Sequence, residues 1–287
     1  MRTRGNVAAR HALGVCMVLA LAGGHGCEHH DYSKEKGPSF ASPSAAPPAA
    51  AAPAKAVLTG FVRLADGATL PSYPAEAMER VVTTHGDPVT FPPICTPPKK
   101  TDRMPVRLTP DGKLIGVMIA ASEFKRSPER AAKTYDVVIK DCRLTPSLVV
   151  AMKGDSLSIK NQVNFPLMPE LGAVTLSKTL MPGQDKEVKL SEAGVKPVLC
   201  GFIAPCGRTD VVVLNHPVYA VTGEDGSFRI DDFPADENVK IDAWHPLFNS
   251  QELSLRVERG QTKSVELTIA PLGQPAPSAP AATPTQK

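Results

Sequence analysis

The chain has 287 residues, and its 32 lysines and arginines nearly balance its 29 aspartates and glutamates, which leaves a net charge of +3. This length suits one large domain or two ordinary ones. The basic groups around Arg103 and Arg130 are short, and we interpret them as solvated faces. Because no dense basic stripe is interleaved with aromatic residues, the composition argues against nucleic acid as a partner.

Residues 1–26 have the features of a secretory signal peptide. Arg2, Arg4 and Arg10 precede an apolar run at 12–23 that is too short for an ordinary transmembrane helix. Cys27 follows directly, and this layout resembles a bacterial lipoprotein, which implies lipidation of that cysteine. We therefore expect an exported protein anchored in a membrane and facing the periplasm or the cell surface. Cleavage at residues 20–22 is the alternative and would release a soluble protein.

Proline and alanine are concentrated at both ends of the predicted mature chain. Residues 41–56 contain only Ala, Pro, Ser and one Lys. Such segments lack the branched and aromatic side chains whose burial offsets the entropy lost on ordering. We predict a tether at 27–56, a disordered tail at 271–287 and a globular region between them.

The globular region is predicted to be all-β, because nearly every periodic segment alternates apolar and polar residues. Two short stretches, 73–82 and 127–133, have helical patterns. Turn signals every eight to twelve residues favour β-sandwiches. The predicted strands are 57–64, 104–108, 113–121, 135–140, 147–152, 155–161, 174–179, 185–190, 196–202 and 209–215, followed by a second group at 218–221, 227–230, 239–244, 252–257 and 263–269.

Several motifs in the first strand group resemble an exported plastocyanin-like (cupredoxin) domain. They are the segments 141–146, 153–155, 161–164 and 181–183 and the loop after Cys200. The motifs of the second group, at 216–222, 225–228, 233–234 and 244–245, resemble a carboxypeptidase-regulatory or transthyretin-like β-sandwich segment. The resemblance implies a cupredoxin-like sandwich at 57–215 followed by a small second β segment at 216–270.

The residues depart from the cupredoxin family at the copper site. The family uses two imidazoles, a thiolate and a weak axial thioether, a set that suits copper in both oxidation states. No histidine occurs between His85 and His216, so the position of the first ligand, within 161–166, has no imidazole. In the loop, Cys200 is present, but Ile203 and Cys206 stand where the family has histidine and methionine. The resemblance therefore predicts degenerate copper ligands and no metal cofactor.

Four cysteines remain after the predicted signal peptide and Cys27, namely Cys95, Cys142, Cys200 and Cys206. An even number in an oxidising compartment predicts two disulfides, with three possible connectivities. Pairing of Cys95 with Cys142 and of Cys200 with Cys206 is one of them. The alternative is Cu(I) held by the thiolates of Cys200 and Cys206.

The remaining candidate residues favour structural roles. We expect His216 and His245 to make structural hydrogen bonds, and Trp244 to pack in a core or at the module interface. His85 is interpreted as a turn residue, and His29 and His30 as part of the tether.

The sequence has no catalytic motif such as Gly-x-Ser-x-Gly or His-Glu-x-x-His. We therefore expect a non-enzymatic, lipid-anchored β-sandwich protein that acts as a binding or structural module at the cell envelope. Its partners are the membrane and an unidentified protein or small molecule. The alternative function is a periplasmic copper-binding or electron-transfer protein with an unorthodox site around Cys200.

Overall fold

The computed structural model of the chain describes residues 55–78, 95, 99–172, 174–175, 179–201 and 206–274. One short α-helix, Ala75–Met78, and one 3-10 turn, Lys100–Arg103, accompany the strands of this part. No helix among the described residues is long and apolar enough to cross a membrane. The strands are β1 Lys55–Leu64, β2 Arg107–Leu108, β3 Leu114–Ile115, β4 Met118–Ser122, β5 Thr134–Lys140, β6 Arg143–Thr145, β7 Leu148–Met152, β8 Ser156–Asn161, β9 Met168–Leu171, β10 Val174–Thr175, β11 Asp185–Lys189, β12 Gly194–Gly201, β13 Arg208–Leu214, β14 Tyr219–Val221, β15 Ser227–Pro234, β16 Asn238–Trp244, β17 Gln251–Arg256 and β18 Thr262–Ile269.

Four sheets build two modules. Sheet I has the strand order β15-β1-β18, sheet II β14-β4-β16-β17, sheet III β10-β9-β12-β13-β7 and sheet IV β11-β8-β5-β6, with β2 and β3 as a separate ribbon. Sheets III and IV use only β5 to β13, so we call them the contiguous module. Sheets I and II use strands from both sides of that segment, and we call them the split module. The fold is thus all-β, as predicted.

Each module encloses its own apolar core, and a third apolar cluster lies between the modules. On β4, Ile119 and Ala121 belong to the core of the split module, while Met118 and Ala120 belong to the third cluster. Because side chains alternate across a strand, β4 contributes to both layers. Strand β13 behaves in the same way, with Val212 in the third cluster and its neighbours in the contiguous core. Strands β4, β7 and β13 are therefore buried on both faces, which explains their nearly continuous apolar sequences.

Strand β1 closes the split module. It pairs antiparallel with β15 and parallel with β18, about two hundred residues later in the chain. In the middle of this sheet, position 60 accommodates glycine and no larger residue, because a Cβ there would overlap the carbonyl oxygen of Val265. Leu58 and Val62 are fully buried in the core of the split module.

The structure differs from the predicted domain boundary. The predicted first domain, 57–215, includes β1 and β4, yet these strands pair with β15, β18, β14 and β16 of the second strand group. The alternation that identifies a strand does not identify its partner, and these partners are distant in sequence. The first strand also begins at Lys55, inside the predicted tether.

Smaller differences concern the short elements. Residues 127–133 are not helical, because Arg130 and the backbone N–H of Lys133 are bound to the buried carboxylate of Asp155. The helix predicted at 73–82 is found only at Ala75–Met78, and its remaining residues lie outside the described part. The sequence patterns also missed strands β6 and β9, which have only three and four residues.

Candidate functional site

The loop between β12 and β13 is closed by a disulfide between Cys200 and Cys206, whose Cα atoms are 5.3 Å apart. Both cysteines are buried in the core of the contiguous module. A second disulfide joins Cys95 and Cys142, with a Cα–Cα distance of 5.6 Å. The expected disulfides are confirmed, and the connectivity is Cys95 with Cys142 and Cys200 with Cys206.

The donor atoms of this loop do not fit a cupredoxin copper centre. The Cys200 sulfur is bonded to Cys206 and is not a thiolate. Within the segment 161–166, where the first ligand would stand, the Asn161 amide donates to the carbonyl oxygens of Phe165 and Leu180 and accepts the N–H of Val163. Among the described residues, no group of three potential His, Cys, Asp or Glu ligands comes together.

A cavity of about 390 Å³ opens beside this loop, between the contiguous module and the stretches 73–78 and 102–107. Its wall combines four arginines with an apolar set, and it is built from four separate stretches of the chain. The polar and charged lining residues are Asp102, Arg103, Arg107, Arg143, Thr145, Ser147 and Arg208, and the apolar and aromatic ones include Tyr73, Met78, Met104, Pro105, Leu144 and Pro146. Its volume falls in the range of small-molecule sites.

A buried network fixes one wall of the cavity. Asp210 is fully buried and accepts hydrogen bonds from the Arg208 Nε and Nη2 atoms, at 3.0 and 2.7 Å, and from the Tyr73 hydroxyl. The Arg208 guanidinium also lies over the Tyr73 ring, 4.5 Å from its centroid. Burial, together with the neighbouring Asp210 carboxylate, raises the pKa of Tyr73 far above its usual value. The hydroxyl therefore stays a hydrogen-bond donor, and Arg208 is held in one orientation.

The other three arginines differ in how their charge is compensated. Arg143 Nη2 donates to the Asp102 carboxylate at 2.8 Å, and Arg107 Nη2 donates to the Glu224 carboxylate at 2.6 Å. Arg103 Nη1 donates to the neutral carbonyl oxygen of Tyr73 at 3.0 Å, and no carboxylate among the described residues pairs with it. The Nε atoms of Arg103 and Arg143 are buried and have no hydrogen-bond partner in the described part of the chain.

Sequence reasoning did not find this cavity. It interpreted the groups around Arg103 and Arg130 as solvated faces, and that was wrong for both residues. Arg103 is half-buried and lines the cavity, while Arg130 is paired with the buried Asp155. One local signal was available, since Arg208 and Asp210 stand two apart at the start of an apolar strand and so share a face. The other lining stretches are too far apart in sequence for any spacing to connect them.

The candidate residues His216, His245 and Trp244 do not line this cavity. His216 Nδ1 accepts the N–H of Val218 at 3.3 Å, and His245 Nδ1 accepts the N–H of Leu247 at 3.2 Å. Burial lowers the pKa of His245 to about 4. Trp244 packs at the module interface. His29, His30, His85 and Cys27 lie outside the described residues.

No protein-family model matches this chain, and no curated protein matches it either. The solved structures similar to it include cupredoxins. A purple cupredoxin from Nitrosopumilus maritimus is 18% identical with a TM-score of 0.25, and the match covers 27% of this chain and 97% of that one. A reduced amicyanin mutant is 22% identical with a TM-score of 0.25 and coverages of 33% and 98%. The copper-containing nitrite reductase of Thermus scotoductus SA-01 is 14% identical with a TM-score of 0.25 and coverages of 32% and 24%. At this level of similarity, none of them assigns a function to this chain.

Proposed function

We propose that this chain is an exported, lipid-anchored, non-enzymatic protein that binds a small molecule at the cell envelope. The observation that supports it best is the arginine-lined cavity beside the contiguous module. Cys27 is the proposed site of lipidation, and the Pro/Ala-rich segment after it is the proposed tether that holds the binding module away from the membrane.

The split module is proposed to be a carboxypeptidase-regulatory or transthyretin-like sandwich. Two observations support this. Motif residues 219–221 lie in strand β14, and motif residues 227–228 and 233–234 lie in strand β15. These two strands belong to the two sheets that enclose one core. The accessory module of the resembled family carries no catalytic zinc domain, so the proposal transfers a scaffold and no peptidase activity.

The chemistry of the cavity favours binding over catalysis. Guanidinium groups stay protonated at physiological pH and do not serve as general bases. The Tyr73 hydroxyl is committed to Asp210, and the Ser147 hydroxyl donates to the Pro105 carbonyl oxygen at 3.1 Å. No histidine or free thiol occurs among the described residues that line the cavity. The wall thus offers hydrogen-bond donors in fixed orientations and apolar surface, the two features by which pockets bind small molecules.

The alternative is a copper-binding or electron-transfer protein, which the cupredoxin-like neighbours suggest. It requires Cys200 as a thiolate, whereas Cys200 forms a disulfide with Cys206. Metal analysis of the purified protein and a visible spectrum after copper addition separate the two functions. Tight binding of one copper per chain, or an intense blue absorption, would favour the electron carrier. We expect neither.

Calorimetric titration tests the binding function. Three probes with the same apolar body and different head groups, 4-phenylbutyrate, 4-phenylbutanol and 4-phenylbutylammonium, are titrated into the purified protein. We expect saturable binding of at least one probe, and this binding should raise the melting temperature by mass action. If none of the three binds at concentrations up to millimolar, the proposed binding function is contradicted.

Localisation has its own test. If Cys27 is acylated, the protein should label with a palmitate analogue and enter the membrane fraction, and Cys27→Ser should release it. Wild-type protein that takes up no label would instead favour cleavage at residues 20–22.

A further inference from the structure

We propose that the cavity selects an organic monoanion with an apolar body, such as an aryl or alkyl carboxylate or a sulfate ester. This inference rests on the proposed binding function and specifies its ligand class. It starts from the four guanidinium groups that line the cavity, those of Arg103, Arg107, Arg143 and Arg208. A guanidinium group donates hydrogen bonds and accepts none, so a ligand that matches this wall supplies a hydrogen-bond acceptor.

The charges on the wall indicate that the acceptor is anionic and carries a single charge. Three of the four arginines already face a carboxylate, since Arg208 pairs with Asp210, Arg143 with Asp102 and Arg107 with Glu224. Arg103 alone lacks a carboxylate partner among the described residues. One positive charge is therefore left over, and a monoanion balances it. A bound cation would add repulsion, and a neutral head group would leave that charge uncompensated.

The arginines are already oriented before a ligand arrives. Arg103 is tied to the Tyr73 carbonyl oxygen, Arg143 to Asp102, and Arg208 to Asp210 and the Tyr73 ring. Asp102 is itself fixed, because its carboxylate accepts the backbone N–H of Lys99 at 2.7 Å. Binding then immobilises few additional side chains, so less entropy is lost. Hydrogen bonds between guanidinium groups and an anion are also stronger than those between neutral groups.

The rest of the wall indicates what accompanies the anionic group. Met78, Met104, Pro105, Leu144 and Pro146 offer apolar surface. Inorganic phosphate or sulfate would leave this surface facing water, whereas an aliphatic or aromatic body covers it. Methionine side chains also adapt to bodies of different shape. We therefore expect discrimination by head group, combined with tolerance for the form of the apolar part.

The three probes used to test the binding function also test this selectivity. We expect 4-phenylbutyrate to bind at least about tenfold more tightly than 4-phenylbutanol or 4-phenylbutylammonium, because hydrogen bonds to charged groups contribute more than those to neutral ones. Inorganic phosphate should bind more weakly than 4-phenylbutyrate. If the alcohol or the ammonium probe binds as tightly as the carboxylate, the ligand class is wrong, although the binding function stands. If no probe binds, the binding function itself fails.

Two variants locate the site. Arg103→Gln and Arg143→Gln should each weaken 4-phenylbutyrate binding by about tenfold or more and leave the affinity for 4-phenylbutanol nearly unchanged. Arg256→Gln is the matched control, since Arg256 is exposed, lies away from the cavity and pairs with Glu258. Two variants are used because Arg103 also holds the Tyr73 backbone and its loss could disturb the fold, which a thermal melt would reveal. An equal loss of affinity for the carboxylate and the alcohol in Arg143→Gln would indicate a merely structural role and overturn the inference.

Discussion

The contiguous and split modules share an all-β architecture, but they are held together in different ways. The core of the contiguous module contains all four cysteines of the two described disulfides, and its strands β5 to β13 follow one another in the chain. No disulfide among the described residues lies in the split module, which is closed by the pairing of β1 with β18. One sandwich is thus cross-linked locally, and the other depends on hydrogen bonds and burial between distant parts of the chain.

The two disulfides do not restrict the same parts of the fold. The bridge from Cys95 to Cys142 spans 47 residues, and the enclosed segment contains β2, β3, β4 and β5. Since β4 lies in sheet II, this bridge also restrains the split module. The bridge from Cys200 to Cys206 spans six residues and encloses only the loop between β12 and β13. We therefore infer that the longer bridge couples the modules, while the shorter one fixes a loop beside the cavity.

Removing the disulfides one at a time should give the largest effects. In the chain-entropy model, loss of Cys95–Cys142 costs about 4 kcal/mol of unfolding free energy, and loss of Cys200–Cys206 costs about 2 kcal/mol. Denaturant unfolding of the Cys95→Ser/Cys142→Ser and Cys200→Ser/Cys206→Ser variants measures both values. A larger loss from the six-residue bridge would contradict the idea that the longer bridge couples the modules.

Matched core truncations test the coupling itself. Leu58 in the split core and Leu157 in the contiguous core are both fully buried. Leu58→Ala and Leu157→Ala should each cost about 3 kcal/mol. Because the apolar cluster with Met118, Val150 and Val212 joins the modules, we expect both variants to shift one common transition. Fluorescence of Trp244 and far-ultraviolet circular dichroism should report that transition together. Two separate transitions, each moved by only one variant, would show that the modules unfold independently.

Sequence reasoning predicted most of the strands but not which strands pair, for a physical reason. Alternation along β5, β15 and β16 reflects which face of each strand is buried, so it is visible locally. The partner of β1 depends on contacts about two hundred residues away, and no local pattern records them. The same applies to the cavity. Tyr73, Arg103, Arg143 and Arg208 have ordinary neighbours in sequence, and only the tertiary fold brings them together. The cysteines could be predicted because their number and the expected compartment restrict the chemistry.

The two modules also differ in how their buried ionisable groups respond to pH. In the contiguous module, burial acts to raise the pKa of Asp155, but hydrogen bonds from Arg130 and from the backbone outweigh it and lower that pKa. In the split module, burial lowers the pKa of His245 to about 4. The Asp210 carboxylate raises this pKa and the Arg208 guanidinium lowers it, both by less than burial does. His245 Nε2 has no partner among the described residues. Acidification should therefore affect the histidine first.

The sign of the histidine effect follows from its lowered pKa. Between about pH 6.5 and pH 4, the unfolded chain binds a proton at His245 that the folded chain does not. Stability contributed by the neutral imidazole is thus present above pH 6.5 and lost as the pH falls to about 4, by about 3 kcal/mol. In His245→Asn, an amide oxygen can still accept the Leu247 N–H, and this part of the pH dependence should disappear from denaturant unfolding curves. An unchanged slope would mean that His245 is not the responsible group.

The smallest expected effect is at the module interface, at Asp242 beside Trp244. Burial, and then the neighbouring Glu252 carboxylate, raise the pKa of Asp242 to about 6, while Lys240 opposes the shift. Its Oδ1 atom has no hydrogen-bond partner within the described part of the chain. With a raised pKa, the stabilisation is complete below about pH 4 and is lost as the pH rises through 6. Asp242→Asn should therefore raise the unfolding free energy at pH 8 by about 1 kcal/mol, a value reduced because the side chain is only half-buried.

At pH 3.5 the same substitution should have little effect, because Asp242 is then protonated and resembles asparagine in charge. Asp231→Asn is the matched control, since Asp231 is exposed and pairs with Arg229. Denaturant unfolding of both variants at the two pH values gives the comparison. Equal stabilisation by Asp242→Asn at both pH values would point to a packing effect in place of the charge. A pH-dependent gain confined to Asp242 would show that the interface between the modules tolerates a destabilising carboxylate, in contrast to the paired carboxylates that lie within the contiguous module.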